Sequence, residues 1–276
     1  IKQAPMKCLY LVRYTLIVLT TVTLASCSKN AEDMHTIIPL NNNWYVQTSD
    51  KLAGLKGAFL SSGDVNTSTW FPATVPSTIM AVLTGNGLYP DLFVADSMKK
   101  VDTLQFERPW WYLTRFVLPD LEEEQRLMLC FDGISYYANV WLNGTLVAGR
   151  DKVFGTFRRF EFDITGLIKD SENILAIEVF KQKRGDFGHG FVDWNPAPPD
   201  DNMGIWRGVY IEITGDVALK NTFISSDVNT ESLNEASLTI TTDLINHTSR
   251  SVHGKLIAKG DGIEFEYPVH LKGDER

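Results

Sequence analysis

The sequence predicts an all-β fold, a sandwich or jelly roll of antiparallel strands. Short segments that alternate apolar and polar side chains recur along the chain and are separated by Gly, Pro, Asn and Asp. This spacing is typical of sandwiches and barrels. Helical periodicity is confined to one short segment, so the regular succession of strand and helix that builds a parallel sheet is missing.

Each predicted element has its own local signal. A short helix over Thr78–Leu83 is entered from Pro76-Ser77 and ends near Gly85. Asn143-Gly144 predicts a tight hairpin, because Asn and Gly suit the positive φ angles of a type I′ turn. The predicted strands are Leu127–Phe131, Tyr136–Leu142, Thr145–Ala148, Phe160–Ile164, Ile174–Phe180 and the segment with Val209, Ile211 and Ile213.

A second β-rich region follows from about Ala218. Leu238 and Ile240 alternate with polar residues, and apolar residues alternate again from Ile263 to Leu271. This region is shorter than the ~100 residues that a complete sandwich of the common seven-stranded class uses. We therefore expect a partial second domain over residues 217–276, as in a truncated gene product.

Charge and composition limit the classes of partner. The formal net charge is −8 at pH 7, and 44% of the residues are hydrophobic. An acidic chain without a basic run is poorly suited to nucleic acid or to an anionic membrane surface. Neutral or cationic ligands fit this charge better.

The N-terminal residues 1–27 predict a lipoprotein signal peptide. Lys7 and Arg13 precede the apolar run Tyr14–Leu24, which is short for a membrane span. Leu24-Ala-Ser-Cys27 resembles a bacterial lipobox, which implies cleavage before Cys27, lipid attachment to its thiol, and a tether over residues 28–37. We expect an exported protein, anchored by lipid in the periplasm or at the cell surface. The alternative is a cleaved secretory signal with Cys27 merely nearby.

The cysteines and histidines do not predict a disulfide framework or a metal site. Cys130 lies in an apolar strand and is interpreted as a small hydrophobic residue. The five histidines are scattered along the sequence, and no contiguous set of calcium ligands is present. The sequence therefore predicts no cofactor and no metal site, with a structural calcium in the sandwich as the open alternative.

Residues 193–208 form the most informative segment. Three prolines stiffen it and prevent a regular helix or a central strand, while Trp, Asp and Asn are concentrated within it. Indole rings stack on sugar C–H faces, and carboxylates and amides bond sugar hydroxyls. The segment thus predicts a carbohydrate-binding loop. The alternative is a long turn pinned in the core by Trp206.

The same segment is similar to the end of the N-terminal sugar-binding domain of glycoside hydrolase family 2, and especially to exo-β-D-glucosaminidase and β-mannosidase types. The resemblance rests on Asp193-Trp-Asn-Pro, Pro199-Asp-Asp-Asn-Met-Gly-Ile-Trp-Arg and, upstream, on Asn86-Gly-Leu-Tyr-Pro-Asp, Pro109-Trp-Trp-Tyr-Leu-Thr-Arg-Phe, Phe131-Asp-Gly-Ile, Val140-Trp-Leu-Asn-Gly, Gly155-Thr-Phe and Phe162-Asp-Ile-Thr. It implies a galactose-binding-like jelly roll over residues 38–216 and the start of an immunoglobulin-like sandwich over residues 217–276.

The resemblance also implies that the catalytic groups lie elsewhere. Family 2 enzymes are retaining glycosidases whose two carboxylates sit about 5–5.5 Å apart, in a (β/α)₈ barrel that follows the immunoglobulin-like domain and needs roughly 250 residues. This sequence has no such segment. The acids Glu122–Glu124 and Asp200-Asp201 are interpreted as solvated loop residues. We therefore predict no catalytic residue here, and a chain that is inactive alone.

The resemblance assigns the sugar contacts to Asp193, Trp194 and Asn195. Asp193 would accept a bond from a hydroxyl or lie near a 2-ammonium group, Trp194 would form a stacking wall, and Asn195 would supply an amide. The alternative for Asp193 is a turn cap. Trp206 is expected to be a core plug and Arg207 an ion-pair partner.

The remaining tryptophans are expected to pack rather than to bind ligand. Adjacent strand residues face opposite sides, so at least one of Trp110 and Trp111 should be in the core. Trp141 should also be packing.

Three functions remain open from the sequence. The first is the N-terminal, non-catalytic part of an exported family 2 glycoside hydrolase that acts on a terminal β-linked sugar or aminosugar. The second is a stand-alone carbohydrate-binding lipoprotein. The third is a non-functional fragment with open sheet edges.

Overall fold

The computed structural model describes residues 35–122, 125–190, 194–260 and 262–275. The predicted signal peptide with Cys27, and most of the predicted tether, lie outside these ranges. The described residues form mainly strands, with two short helices, α1 (Gly57–Leu60) and α2 (Ile79–Gly85). The strands are β1 (Thr36–Pro39), β2 (Trp44–Thr48), β3 (Phe71–Ala73), β4 (Ser77–Thr78), β5 (Trp110–Phe116), β6 (Arg126–Phe131), β7 (Tyr137–Leu142), β8 (Thr145–Ala148), β9 (Phe160–Asp163), β10 (Asn173–Phe180), β11 (Gly204–Ile205), β12 (Val209–Thr214), β13 (Val217–Val228), β14 (Ala236–Asn246), β15 (Val252–Gly260) and β16 (Ile263–Leu271). Within the described ranges, 3₁₀ helices cover Ser49–Lys51, Ser97–Lys100, Thr103–Glu107 and Thr165–Leu167.

Two antiparallel sheets form a sandwich, as the sequence predicts. One sheet has the order β1-β12-β6-β9, and the other has the order β3-β2-β5-β10-β7-β8. Some neighbours in these sheets are distant in sequence: β1 pairs with β12, placing Ile38 opposite Ile211. The first and last strands of the sandwich therefore lie side by side.

The predicted elements are confirmed to within about one or two residues at their ends, the usual scatter of element boundaries. Asn143 and Gly144 both have positive φ, 50° and 89°, and they join β7 to β8 as the predicted hairpin. Thr78 is the N-cap of α2, and its Oγ1 accepts the backbone N–H of Ala81 at 3.2 Å. The sequence analysis did not find α1 or the 3₁₀ helices.

Apolar side chains fill two cores, one on each face of the six-stranded sheet. The larger core lies between the two sheets and includes Trp44, Tyr112 and Phe131. The smaller core lies on the opposite face, where Leu52, Leu60 and Trp70 cover the sheet. Trp110 and Trp111 are both buried, one in each core. The prediction that at least one would be core is confirmed, and the second is buried because the segment between β2 and β3 covers the outer face.

A polar cluster lies on the outer face of the four-stranded sheet. Glu212 on β12 accepts bonds from Lys220 on β13 and from His35 at 3.0 Å, and Lys220 also pairs with Glu161 at 3.2 Å. Cys130 is buried beneath these groups. Burial, followed by the charges of Glu161 and Glu212, raises the pKa of the Cys130 thiol to about 12. The thiol is therefore protonated at neutral pH, in line with its interpretation as a small hydrophobic residue.

Residues 217–271 form two further hairpins. β13 pairs with β14, and β15 pairs with β16, each as a two-stranded antiparallel sheet. Asp216 connects them to the sandwich, since its carboxylate lies 2.7 Å from Arg250 and 3.9 Å from Arg126. The domain boundaries and the immunoglobulin-like assignment stay predictions.

Candidate functional site at the proline loop

Hydrogen bonds fix the long loop between β10 and β12 to the sandwich at its C-terminal end. Gly204 and Ser135 exchange backbone bonds of 2.7 and 2.8 Å, and the N–H of Ile79 donates to Met203 O at 2.8 Å. Gly204 has φ of +146°, and an added Cβ would lie 2.7 Å from the Tyr112 hydroxyl. Only glycine fits this close approach, so the loop leaves the sandwich at a fixed position.

Asp200 stabilises the loop from inside. Its side chain is fully buried, and Oδ2 accepts the N–H of Met80 at 2.7 Å while Oδ1 accepts the N–H of Asn202 at 3.0 Å. Burial raises the pKa of Asp200 above its ordinary value, although these bonds oppose the rise. The sequence interpretation of Asp200 as a solvated loop acid is therefore wrong: it holds the loop against the first turn of α2 by accepting the backbone N–H of Met80, which has no partner within the helix.

Asp201 also has a structural partner. Lys181 lies 3.0 Å from both Asp201 and Glu107. Burial alone would lower the pKa of Lys181, but the two carboxylates raise it above its ordinary value. Lys181 therefore stays charged and ties the loop to the segment that precedes β5.

The three predicted sugar-binding residues lie at the outer part of the loop. Asp193 falls outside the described residues. Trp194 is 84% exposed, and Asn195 is exposed beside it. An indole with so little protein contact is not held in place for packing. Its exposure leaves the predicted binding role open to experiment.

Asn195 lines a groove of about 650 Å³ between the loop, α2 and residues 92–98. Apolar side chains supply most of its walls: Met80, Leu92, Phe93, Met98, Pro196, Pro198 and Pro199. Thr78, Thr84, Asn195 and Asn202 supply polar groups. An apolar groove with a few convergent polar groups is the usual form of a small-ligand site. The apolar lining of this groove was not predicted from the sequence. The apolar pair Phe93-Val94, which lies in a polar segment and is exposed in the structure, could have indicated it.

Trp206 corrects an expectation. It is half-buried rather than a core plug, and its Nε1 donates to the carbonyl of Thr156 at 3.0 Å. Its ring meets Phe157 and His189 edge to face, at centroid distances of 5.7 and 5.8 Å. Trp206 precedes β12, so the alternation of that strand does not place it in the core.

Trp206, Phe157, His189 and Arg207 form an aromatic cluster at the base of the loop. The guanidinium of Arg207 lies 4.5 Å from the Trp206 ring, a cation–π contact in place of the predicted ion pair. Burial lowers the pKa of His189, which favours its neutral form. The cluster therefore anchors the loop through ring contacts.

The described residues meet neither the requirement of a membrane-spanning helix nor that of a metal centre with three protein ligands. No helix in the described ranges is both long and apolar enough to cross a membrane. Among the same residues, no three His, Cys, Asp or Glu side chains converge in a way that could hold a metal ion.

The described sandwich consists of two antiparallel sheets with a long loop between β10 and β11. Residues 59–186 match the family model described as "Glycosyl hydrolase 2 galactose-binding domain-like". This part of the chain is therefore a galactose-binding-like domain of glycoside hydrolase family 2.

Within that family, the chain is similar to several exo-β-D-glucosaminidases. The chain is 35% identical over 231 residues to the exo-β-D-glucosaminidase of Amycolatopsis orientalis, covering 83% of this chain and 22% of the relative. It is 31% identical over 219 residues to the exo-β-D-glucosaminidase of Streptomyces avermitilis, covering 79% and 24%. The crystal structure of the Amycolatopsis orientalis exo-chitosanase CsxA superimposes with a TM-score of 0.80 at 32% identity, over 87% of this chain and 28% of that one. CsxA has also been solved in complex with PNP-β-D-glucosamine.

The chain spans about a quarter of the length of these relatives. The similarity therefore concerns the N-terminal region of family 2 exo-β-D-glucosaminidases.

Proposed function

We propose that this chain is the N-terminal, non-catalytic part of an exported family 2 glycoside hydrolase that acts on terminal β-linked glucosamine. In this proposal the jelly roll supplies one wall of the sugar pocket through Asp193, Trp194 and Asn195. The observation that carries it is Trp194, an 84% exposed indole on a proline-stiffened loop beside the groove. Similarity to exo-β-D-glucosaminidases at 31–35% identity supports the choice of sugar.

The chemistry of the loop agrees with an aminosugar ligand. Asp193 would pair with the 2-ammonium group, Trp194 would stack on the sugar ring, and Asn195 would bond a hydroxyl. The described acids of the same loop, Asp186, Asp200 and Asp201, already have partners. Asp193 is therefore the acid that we assign to the ammonium.

Kinetic measurements on the enzyme encoded by the complete gene test this role. Asp193→Ala should lower kcat/KM for a β-glucosaminide by roughly 10- to 150-fold, since a charge-assisted bond contributes about 1.5–3 kcal/mol. Trp194→Ala should lower it by up to about tenfold. Both variants should melt as the wild type does, because Trp194 makes little protein contact.

Phe187→Ala is the matched control, because Phe187 is an aromatic residue of the same loop and is 92% exposed. It should leave the kinetics unchanged. If all three variants behave alike, or if the complete gene product hydrolyses no β-glucosaminide, β-mannoside or β-galactoside, the proposed function is wrong.

A stand-alone carbohydrate-binding lipoprotein is the second candidate. The observation that favours it is the continuous core between the two sheets, which the sandwich builds from its own residues. Direct titration of this chain with chitosan oligosaccharides distinguishes the candidates. Saturable binding that Trp194→Ala removes, with no hydrolase encoded by the complete gene, would support the second.

Export and lipidation at Cys27 are part of the proposal and rest on the sequence of residues 1–27. Labelling cells with an alkyne fatty-acid analogue should mark the wild type, and Cys27→Ala should lose the label. Equal labelling of the two proteins would contradict the lipid anchor.

A further inference from the structure

The hairpin of β15 and β16 brings two histidines together that are distant in sequence. His253 and His270 are direct cross-strand partners in the antiparallel register. Their ring centroids lie 4.0 Å apart, and the ring planes are nearly perpendicular at 83°. Directly opposed residues on one face of an antiparallel pair have the closest side chains that a sheet offers.

Both histidines lie on the polar face of the hairpin. Lys255 pairs with Glu266 at 2.6 Å and Lys259 pairs with Glu264 at 2.9 Å on this face. The opposite face carries the less exposed apolar residues, including Leu256, Phe265 and Val269. The imidazoles are exposed, and in the described part of the chain no hydrogen bond occupies their ring nitrogens. Both rings are therefore available to a ligand from solvent.

We propose that His253 and His270 form a two-histidine site for a divalent transition metal ion, Zn²⁺, Ni²⁺ or Cu²⁺. Neutral imidazole suits these ions, and a metal–nitrogen bond of about 2.0–2.1 Å brings two nitrogens to one ion. The terminal torsion of histidine is broad, so each exposed ring can turn a nitrogen towards a shared ion. The site lies outside the proline loop and is independent of the proposed sugar contacts.

The site has two protein ligands, and water completes the coordination. Since no third His, Cys, Asp or Glu converges there among the described residues, the ion should exchange readily. The nearest cation on the same face of β15, Lys255, is paired with Glu266, which limits its repulsion of the ion.

A bound ion would join the two strands and stabilise the hairpin. Any ligand that binds the folded state and not the unfolded state raises stability by mass action. Metal should therefore slow the hydrogen exchange of backbone amides in β15 and β16 and leave the exchange of amides in the sandwich unchanged. Hydrogen exchange resolved by residue reports this effect.

Isothermal titration of the whole 276-residue chain with ZnCl₂, NiCl₂ and CuCl₂ at pH 7.5 tests the proposal. Wild type and the control His35→Asn should bind one ion with the same affinity. His253→Asn and His270→Asn should each weaken that binding roughly tenfold or more. Loss of a group that only hydrogen-bonds to a metal ligand already lowers metal affinity by about 10- to 100-fold. Both positions are exposed, so the variants should melt as the wild type does without metal.

Electron paramagnetic resonance of the Cu²⁺ complex gives a test that needs no variant. Two nitrogen ligands in the spectrum support the site. Binding that is equal in wild type and in both hairpin variants, a spectrum without nitrogen coupling, or no saturable binding of any of the three ions at about 1 mM would overturn the proposal.

Discussion

At the residue scale, the packing of Trp141 requires a glycine at position 57. The sequence predicts packing for Trp141, and the structure agrees: its indole lies over α1, where a Cβ added at Gly57 would come within 2.3 Å of Nε1. Gly57 is buried, and the ring fills the space that its missing side chain leaves. The glycine is therefore a packing requirement and not a turn requirement.

Gly57→Ala should lower the free energy of unfolding by about 1–3 kcal/mol, the usual cost of overpacking. Urea unfolding followed by tryptophan fluorescence measures it. Gly85→Ala is the control, because a Cβ at that position meets no atom within 4 Å. If the two variants have equal urea midpoints, Trp141 moves aside freely and the packing argument fails.

Asp200→Ala tests a buried residue that was interpreted from the sequence as a solvated acid. It removes both acceptors that hold Met80 and Asn202, and should cost about 1–3 kcal/mol, the desolvation penalty of an unpaired buried group. The midpoint of thermal unfolding reports it. Asp186→Ala is a partly exposed control on the same loop, where a much smaller change is expected.

At the element scale, Lys220 connects β13 to the four-stranded sheet. Burial alone would raise the pKa of Glu212, but bonds from Lys220 and His35 hold it below its ordinary value of 4.5. A carboxylate with a lowered pKa stabilises the folded state above that value. The contribution is lost as pH falls through the lowered pKa.

Lys220→Met should therefore lower stability at pH 7 by roughly 1.5–3 kcal/mol and make the loss of stability below pH ~4.5 shallower. Urea titrations between pH 3 and pH 7 measure both effects. Lys255→Met breaks an exposed ion pair and should leave the midpoint unchanged. Parallel pH profiles for Lys220→Met and the wild type would refute a stabilising role for this cluster.

At the scale of the whole molecule, the sandwich and the two C-terminal hairpins differ in burial. The sandwich encloses two cores, whereas the hairpins expose Phe223, Leu233 and Tyr267 at 65%, 74% and 64%. Local stability follows buried apolar contact, so the hairpins should open first.

Limited proteolysis should therefore leave a stable fragment that ends near Gly215, identified by intact mass. Residues 35–216 should refold alone, because this segment carries the described residues of both cores. Protection of the chain as far as residue 275 under the same conditions would show that the hairpins and the sandwich unfold as one unit.

The purified 276-residue chain should show no glycosidase activity, because its described residues form a sandwich and two hairpins and not the barrel that the family resemblance implies for the two catalytic carboxylates. Nitrophenyl β-glucosaminide, β-mannoside and β-galactoside are suitable substrates. Turnover that an acid substitution within this chain abolishes would contradict the assignment of the domain as non-catalytic.

The sequence by itself determined the all-β class and the hairpin at Asn143-Gly144, because strand alternation and turn residues are local patterns. It also determined the helix after Thr78, which begins at a local capping residue. The family resemblance rests on short motifs, which are read directly from the sequence. The sequence also singled out the loop with Trp194 and Asn195 from composition.

Only the tertiary structure decided which of these residues meet. In the structure, Trp110 and Trp111 are both buried, and Asp200 binds the first turn of α2. Trp206, which was expected in the core, is half-buried and contacts Phe157. The tertiary structure also places His253 beside His270, two residues of a set that looks scattered in the sequence. The physical reason is that strand register and sheet order bring distant residues together, and no local period encodes that order.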